Sequence, residues 1–225
     1  MENLSRRKFI QQTALASGAL LLLPEFQSCS LPGSKQSGNY FMKEFGIDEK
    51  LCHKLLAKAL SKGGDFADLY FEYTVSNFLG LEDGKVNRSY GNISLGVGIR
   101  TVKGDQIGYG FTQELTEESM LSAAATASTL CDMNATSVFD SYKIPKIGNY
   151  YPVAVDFKGI PANSKLPILQ NINQKCFDQS KEVIKVNAGF QSSAKRILVV
   201  TSDGIMAEDL IPHGYLYAFV VAERN

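Results

Sequence analysis

The chain has 225 residues, of which 44% are hydrophobic and 10% aromatic, with Lys+Arg and Asp+Glu both at 23. That length buries a real core in one large domain or two small ones, and the apolar share excludes wholesale disorder. Balanced charge leaves no excess to recruit a polyanion, so nucleic-acid binding through bulk charge is not expected.

The first element is an address. Ser5-Arg6-Arg7-Lys8-Phe9-Ile10 stands before an apolar run from Ala14 to Leu23, which Pro24 ends. A basic start before about ten apolar residues is signal-peptide anatomy, and the run is too short to span a bilayer. The Ser-Arg-Arg-x-Phe core, with Arg6 and Arg7, resembles the bacterial twin-arginine export signal. The competing reading is an accidental basic start before an amphipathic helix. The order of charge, apolar run and Pro favours a signal over residues 1–28.

Phe26-Gln27-Ser28-Cys29 loosely resembles a lipobox, with Phe three positions before the Cys where Leu is usual. Cys29 is therefore a candidate lipidation site, with residues 29–45 as a polar spacer that would tether the chain to a membrane. Cleavage nearby to give a soluble periplasmic product is an equal alternative. Either way the expectation is a bacterial protein exported by the twin-arginine route, periplasmic or lipid-anchored at the cell envelope. Residues 1–28 carry Arg6, Arg7 and Lys8 against Glu2 and Glu25, so the remainder holds 20 basic and 21 acidic residues.

Cys52, Cys131 and Cys176 remain, too widely spaced for a C-x-x-C motif. That argues against a zinc ribbon or a thioredoxin-like site. Each lies in a helix-like stretch where a small buried side chain is the plain reading. One disulfide among the three would leave one thiol over, and its pairing stays open.

The first folded unit is expected over residues 46–133. Ile47, Leu51, Leu55, Leu56, Ala59 and Leu60 mark one face of a helix, with Asp48 near its start and Gly63-Gly64 past its end. Phe66 to Val75 reads as a strand that Phe78 to Leu81 continues, and Glu82-Asp83-Gly84-Lys85 as a hairpin turn. Ile93 to Arg100 alternates with a period of two, Lys103-Gly104-Asp105 turns, and Gln106 to Thr112 is again strand-like. Thr116-Glu117-Glu118-Ser119 is the expected cap of an Ala-rich helix running to about Cys131.

Pro145, Pro152 and Pro161 make residues 134–162 an extended connection. A second unit is expected over 163–225. It has a helix from Leu166 to Ser180, then strand-like runs at Val183 to Gln191, Arg196 to Thr201, Gly204 to Asp209 and Tyr215 to Ala222. A shift of 120 residues lays Asp83-Gly84 on Asp203-Gly204 and helix on helix. The fold class expected is therefore α+β, helices packed on antiparallel or mixed sheets, with a duplicated α-β-β-β unit as its hypothesis.

Several phrases in order carry a family resemblance. They are Gly64-Asp65-Phe66-Ala67-Asp68-Leu69-Tyr70-Phe71-Glu72, Leu81-Glu82-Asp83-Gly84-Lys85-Val86 and Gly96-Val97-Gly98-Ile99-Arg100. Gly108-Tyr109-Gly110-Phe111-Thr112, Glu114-Leu115-Thr116-Glu117-Glu118 and Thr201-Ser202-Asp203-Gly204 follow. Over residues 45–225 they resemble the N-terminal region of the TldD/PmbA family, also called modulator of DNA gyrase. The resemblance implies a zinc-dependent peptidase working as a homo- or hetero-oligomer with a related subunit on peptide substrates. Members that cut peptides carry a helical H-E-x-x-x-H motif, in which two His hold zinc and the Glu is general base.

That motif is missing from these 225 residues, whose His53 and His213 lie 160 positions apart. Neither is expected to be a ligand, and no catalytic, cofactor or metal residue is assigned to this chain. Gly96, Gly98, Gly108 and Gly110 do not form a phosphate loop and are read as marking bulges or close backbone approach. Arg100 is read as a structural ion-pair partner, and Asp83 and Asp203 as turn formers. An acidic cluster of Glu82, Asp83, Asp203 and Asp209 is the alternative.

The functional expectation is the exported N-terminal portion of a TldD/PmbA-like metallopeptidase, shaping the peptide cleft and subunit interface and inactive alone. Edge strands such as Gly104 to Thr112 would pair with an extended peptide. The alternative is a non-catalytic partner subunit or an exported peptide-binding module. A DNA-linked role is opposed by the neutral charge and the export signal.

Overall fold

The computed structural model describes residues 40–129, 138, 141–145 and 160–224. Arg6, Arg7, Cys29 and Cys131 lie outside them. Four helices and five strands follow in order: α1 (Tyr40–Phe45), α2 (Glu49–Ala59), β1 (Phe66–Glu82), β2 (Lys85–Lys103), β3 (Gln106–Thr112), α3 (Glu117–Ser128), α4 (Ala162–Gln179), β4 (Val183–Thr201) and β5 (Met206–Ala222). The strands form one sheet of order β3-β2-β1-β4-β5, antiparallel at every ladder. The α+β class expected from the sequence holds.

Helix starts follow the expected capping chemistry. The Asp48 carboxylate accepts from the Leu51 amide at 2.7 Å, and the Thr116 hydroxyl accepts from the Ser119 amide at 3.3 Å. Helix α1 is a departure, because residues 40–45 fall in the stretch read as spacer. Phe41 is fully buried, and its ring meets Phe71 at 6.0 Å while Tyr40 stacks on Tyr73 at 6.2 Å. Glu208 on β5 accepts from the first amides of α1, Tyr40 at 3.0 Å and Phe41 at 3.1 Å, and so ties α1 to the far edge strand.

Helix α4 starts one turn before Leu166. Pro167 lies in its second turn, where it costs one backbone bond, while Ser164 closes the first turn by bonding the Pro161 carbonyl. The four strand-like runs of the second half are two continuous strands of 19 and 17 residues. Polar stretches such as Ser192-Ser193 and Arg88-Ser89 hide strand character in the sequence. Partners on the neighbouring strands keep the ladder going through them.

The ladder between β1 and β4 joins the two halves, from Asp68 opposite Thr201 to Glu82 opposite Asn187. Both halves run helix, strand, turn, strand, but the second supplies two strands among the described residues where the first supplies three. The 120-residue shift is one residue out of register. Facing residues in an antiparallel pair share a side, and Leu69 faces Val200 while Leu81 faces Ala188. An offset of 119 therefore carries Ala67, Leu69, Phe71, Leu79 and Leu81 onto Val186, Ala188, Phe190, Leu198 and Val200, all on the helix side. An offset of 120 would turn each to the opposite side. The difference lies in the turns. Asp83-Gly84 alone joins β1 to β2, with φ of 49° and 78°, whereas residues 202–205 join β4 to β5.

The helices share that one side in two clusters. Helices α2 and α3 cover Leu69, Phe71, Val97, Ile99, Leu198 and Val200. Helix α4 covers Leu79, Leu81 and Ala188 through Leu166, Leu169 and Ile172. Glycine makes the α3 contact. A Cβ on Gly108 or Gly110 would lie 2.0 Å from the backbone oxygen of Ala127 or Ala123, so the helix backbone rests directly on β3. Since backbone meets backbone, no rotamer change relieves the clash. Gly110→Ala is expected to lower stability by about 2–3 kcal/mol, read as a fall in the urea midpoint. An unchanged midpoint would contradict this contact.

Candidate functional site

Strand alternation leaves the other side of the sheet without a described helix. Across β3, β2 and β1 it presents Ile107, Tyr109, Phe111, Arg100, Tyr90, Asp68, Glu72 and Phe78. Lys195, Gln191, Tyr215, Tyr217 and Phe219 continue it across β4 and β5. Phe111 is 74% exposed.

Two ion pairs organise the polar part. Arg100 donates through Nε to Asp68 Oδ2 at 2.9 Å, and Lys195 Nζ lies 3.1 Å from Glu72. Glu72 also accepts from the hydroxyls of Thr74 at 2.8 Å and Tyr70 at 3.1 Å. Partial burial raises the Glu72 pKa, but the bonds from Thr74, Lys195 and Tyr70 outweigh it and hold the carboxyl below its ordinary value. Burial and the same carboxylate push the Tyr70 phenol up to about 12. These groups are committed to one another, and the pair at Arg100 is the structural one the sequence suggests.

The two edges differ. At β5, Lys143 donates its amide to the Gly204 carbonyl at 2.6 Å and accepts from the Met206 amide at 3.2 Å, a short parallel bridge on the outer side. Further along, Pro212 removes an amide from the same edge. Strand β3 pairs with β2 on one side, and no described strand pairs with its other side. Its alternate residues Ile107, Tyr109 and Phe111 point to the uncovered face, while Gly108 and Gly110 seat it on α3.

The remaining expected residues are dispersed. Asp83 is a turn former whose amide and carboxylate bond Val186 at 3.0 and 2.9 Å. Asp203 bonds the Thr201 hydroxyl in its own turn. Glu82 and Asp83 lie at one end of the β1–β4 ladder and Asp203 at the other, roughly 45 Å apart along the strands, so the acidic cluster does not form. His213 sits within β5 opposite Ser193 and not in a turn, because an edge strand tolerates the preceding Pro212. His53 is on α2. Cys52 and Cys176 are both free, and burial, with Asp48 and Glu49 nearby, pushes the Cys52 thiol up to about 12.

One buried pair escaped the sequence reading. Lys165 on α4 is 2% exposed, and its Nζ donates to the buried Ser192 hydroxyl at 2.8 Å and lies 5.5 Å from the Phe190 ring centre. The available signal was a polar position on the apolar face of Leu166, Leu169 and Ile172. It was missed because the helix was expected to begin at Leu166.

Comparison with known proteins decides the family. Residues 67–131 match the model of PmbA/TldA metallopeptidase domain 1, and residues 156–225 match the model of the PmbA/TldA metallopeptidase central domain. The chain belongs to the PmbA/TldD family. A metalloprotease TldD homologue of Haemophilus influenzae is 23% identical over 163 residues, covering 72% of this chain and 34% of that protein. One from Buchnera aphidicola is 24% identical over 153 residues, covering 66% and 31%. The chain thus spans about a third of the length of these relatives.

Among solved structures, a candidate modulator of DNA gyrase from Bacteroides thetaiotaomicron shares the fold with a TM-score of 0.62. It is 16% identical, over 77% of this chain and 41% of that one. TldE from Thermococcus kodakarensis gives 0.51 at 14% identity, over 77% and 40%. In PmbA/TldD terms, β1, β2, β3 and α3 fall in the first matched domain and α4, β4 and β5 in the central one. The five-stranded sheet is built from both.

Zinc does not fit the donors present. Among the described residues no three His, Cys, Asp or Glu side chains gather, and His53 and His213 stand on separate elements. No step through a metal is assigned to this chain.

Burial holds the Lys165 ammonium below its ordinary pKa of 10.5. Its charged form therefore opposes folding at neutral pH, and stability rises as pH climbs from the lowered folded value towards the unfolded one. Lys165→Met is expected to raise the thermal midpoint at pH 7, by removing a desolvated ammonium, in spite of the donor that the Ser192 hydroxyl loses. The gain should shrink as pH rises, and thermal midpoints across that range check both sign and trend.

Proposed function

We propose that this chain is the N-terminal portion of a TldD/PmbA-type metallopeptidase, shaping the peptide cleft and the subunit interface without supplying catalytic residues. The observation that carries this reading is the open outer side of β3. An extended peptide laid there would continue the sheet by main-chain hydrogen bonds, with alternate side chains beside Ile107, Tyr109 and Phe111. The close seating of α3 on Gly108 and Gly110 makes that edge rigid, which reduces the ordering cost of binding.

In this reading zinc and the proteolytic groups belong to other parts of the complete family protein. A related subunit, the same or different, completes the assembly. Arg6 and Arg7 direct export by the twin-arginine route to the periplasm or cell envelope, with Cys29 as the candidate lipid anchor.

Two experiments test this. The purified chain, with or without added zinc, should release no product from unstructured peptides, and zinc-dependent cleavage would overturn the division of labour. An extended peptide should shift the amide resonances of residues 106–112, with Ile107→Lys together with Phe111→Lys weakening it at least about fivefold. Shifts confined to other strands would refute the edge assignment. Separately, Arg6→Lys with Arg7→Lys should hold the chain in the cytoplasm, and undiminished export would remove the signal assignment.

A further inference from the structure

The helix side of the sheet has two flanks of unequal quality. At one end α2 and α3 bury Leu55, Leu56, Met120 and Ala124 completely, in a cluster of eighteen buried residues among those described. At the other end α4 brings one fully buried apolar residue, Leu169, to a cluster of four. Leu166 and Ile172 pack against that cluster only partly buried.

The same face of α4 buries two polar side chains. Lys165 and Asn173 stand four residues either side of Leu169 and are 2% and 9% exposed. Lys165 meets the Ser192 hydroxyl and the Phe190 ring, and Asn77 and Gly214 flank Ser192 on the adjoining strands. None of these carries a charge, and burial acts on the ammonium with no carboxylate to offset it. An ammonium held in this way opposes the docking of the helix that carries it. Asn173 rests against the β1–β2 turn, where a Cβ on Gly84 would stand 3.3 Å from its Nδ2. Its Oδ1 is buried with no protein partner among the described residues, which opposes docking again.

Helix α4 has little stability of its own to set against this. Pro167 interrupts its second turn, and Pro161 at its start offers no side-chain cap. An uncapped helix of 18 residues is marginal in water, so α4 melts once it leaves the sheet. The strands beneath it have other support. Leu79, Leu81 and Ala188 lie in a ladder that runs on to Asp68 and Thr201 under the first cluster, with β2 and β5 bonded on either side.

We propose that α4 is a releasable flank, which leaves the sheet and melts while α2, α3 and the five strands stay folded. Release bares Leu79, Leu81, Ala188 and Ser192. The hairpin end of β1 and β4 then loses its described cover on the helix side.

Native-state hydrogen exchange of the full chain, read by mass spectrometry over a series of low urea concentrations, tests this. The amides of Leu169 to Cys176 should exchange through an opening at least about a hundredfold more populated than the one that exposes Leu55 and Leu56, and less dependent on urea. Lys165→Met should slow exchange on α4 at least about threefold. Gly110→Ala loosens the α3 contact, which release of α4 leaves intact. It should therefore speed exchange on α2 at least about tenfold and leave α4 unchanged. Equal protection and equal urea dependence of α2 and α4 would mean that α4 departs only with the whole fold, and would overturn the proposal. So would a Gly110→Ala chain that accelerates both helices alike, or a Lys165→Met chain with unaltered exchange on α4. If Gly110→Ala does not fold, the urea dependence of the parent chain decides alone.

Discussion

The antiparallel ladder between β1 and β4 is the constraint on which the other features rest. It pairs strands from the two halves over fifteen residues, and facing residues must share a side. Leu69 and Phe71 therefore share a side with Leu79 and Leu81, although they serve separate clusters at opposite ends of the strand. Once that register is set, α2, α3 and α4 have only one apolar side to cover. The opposite side is left to aromatic rings, ion pairs and neutral polar groups.

Glycine acts on both sides of the sheet through the same physics. On the helix side, Gly108 and Gly110 remove the Cβ atoms that would hold α3 away from β3. On the uncovered side, Gly80 and Gly189 let Phe78 and Tyr217 lie down on the sheet. A Cβ at Gly108 or Gly110 would stand 2.0 Å from a helix carbonyl oxygen, one at Gly189 2.5 Å from the Tyr217 ring, and one at Gly80 3.0 Å from the Phe78 ring and the Asn87 side chain. The glycines are contacts made of absent atoms, and strand alternation decides which side each one serves.

The two ends of the uncovered face accordingly have different chemistry. Near β3 an open strand edge adjoins aromatic residues and the Arg100–Asp68 pair, which suits an extended main chain. Near the hairpins flat rings alternate with hydroxyls and amides. The Glu72–Lys195 pair, reinforced by Thr74 and Tyr70, separates them. Such exposed pairs contribute little to stability, so their effect here is to fix side chains in place.

Much was legible in the sequence because it is local. The caps at Asp48 and Thr116, the Asp-Gly turn at Asp83, the helix stripe at Leu51, Leu55 and Leu56, and the family phrases depend on neighbours within a few residues. The strand character of Arg88–Asn92 and of Ser192–Lys195 was not legible, since partners on other strands create it. Lys165 falls just before the expected helix start at Leu166, and its acceptor Ser192 lies 27 positions away on β4, beyond any local pattern. Tertiary structure alone decided the parity, which an even shift of 120 between the halves does not satisfy. Sequence alignment rewards matching Asp-Gly letters, whereas an antiparallel ladder admits only the parity that keeps apolar side chains under their helices. Local propensity thus determined which elements exist, and long-range pairing decided which side of each strand lies under the described helices.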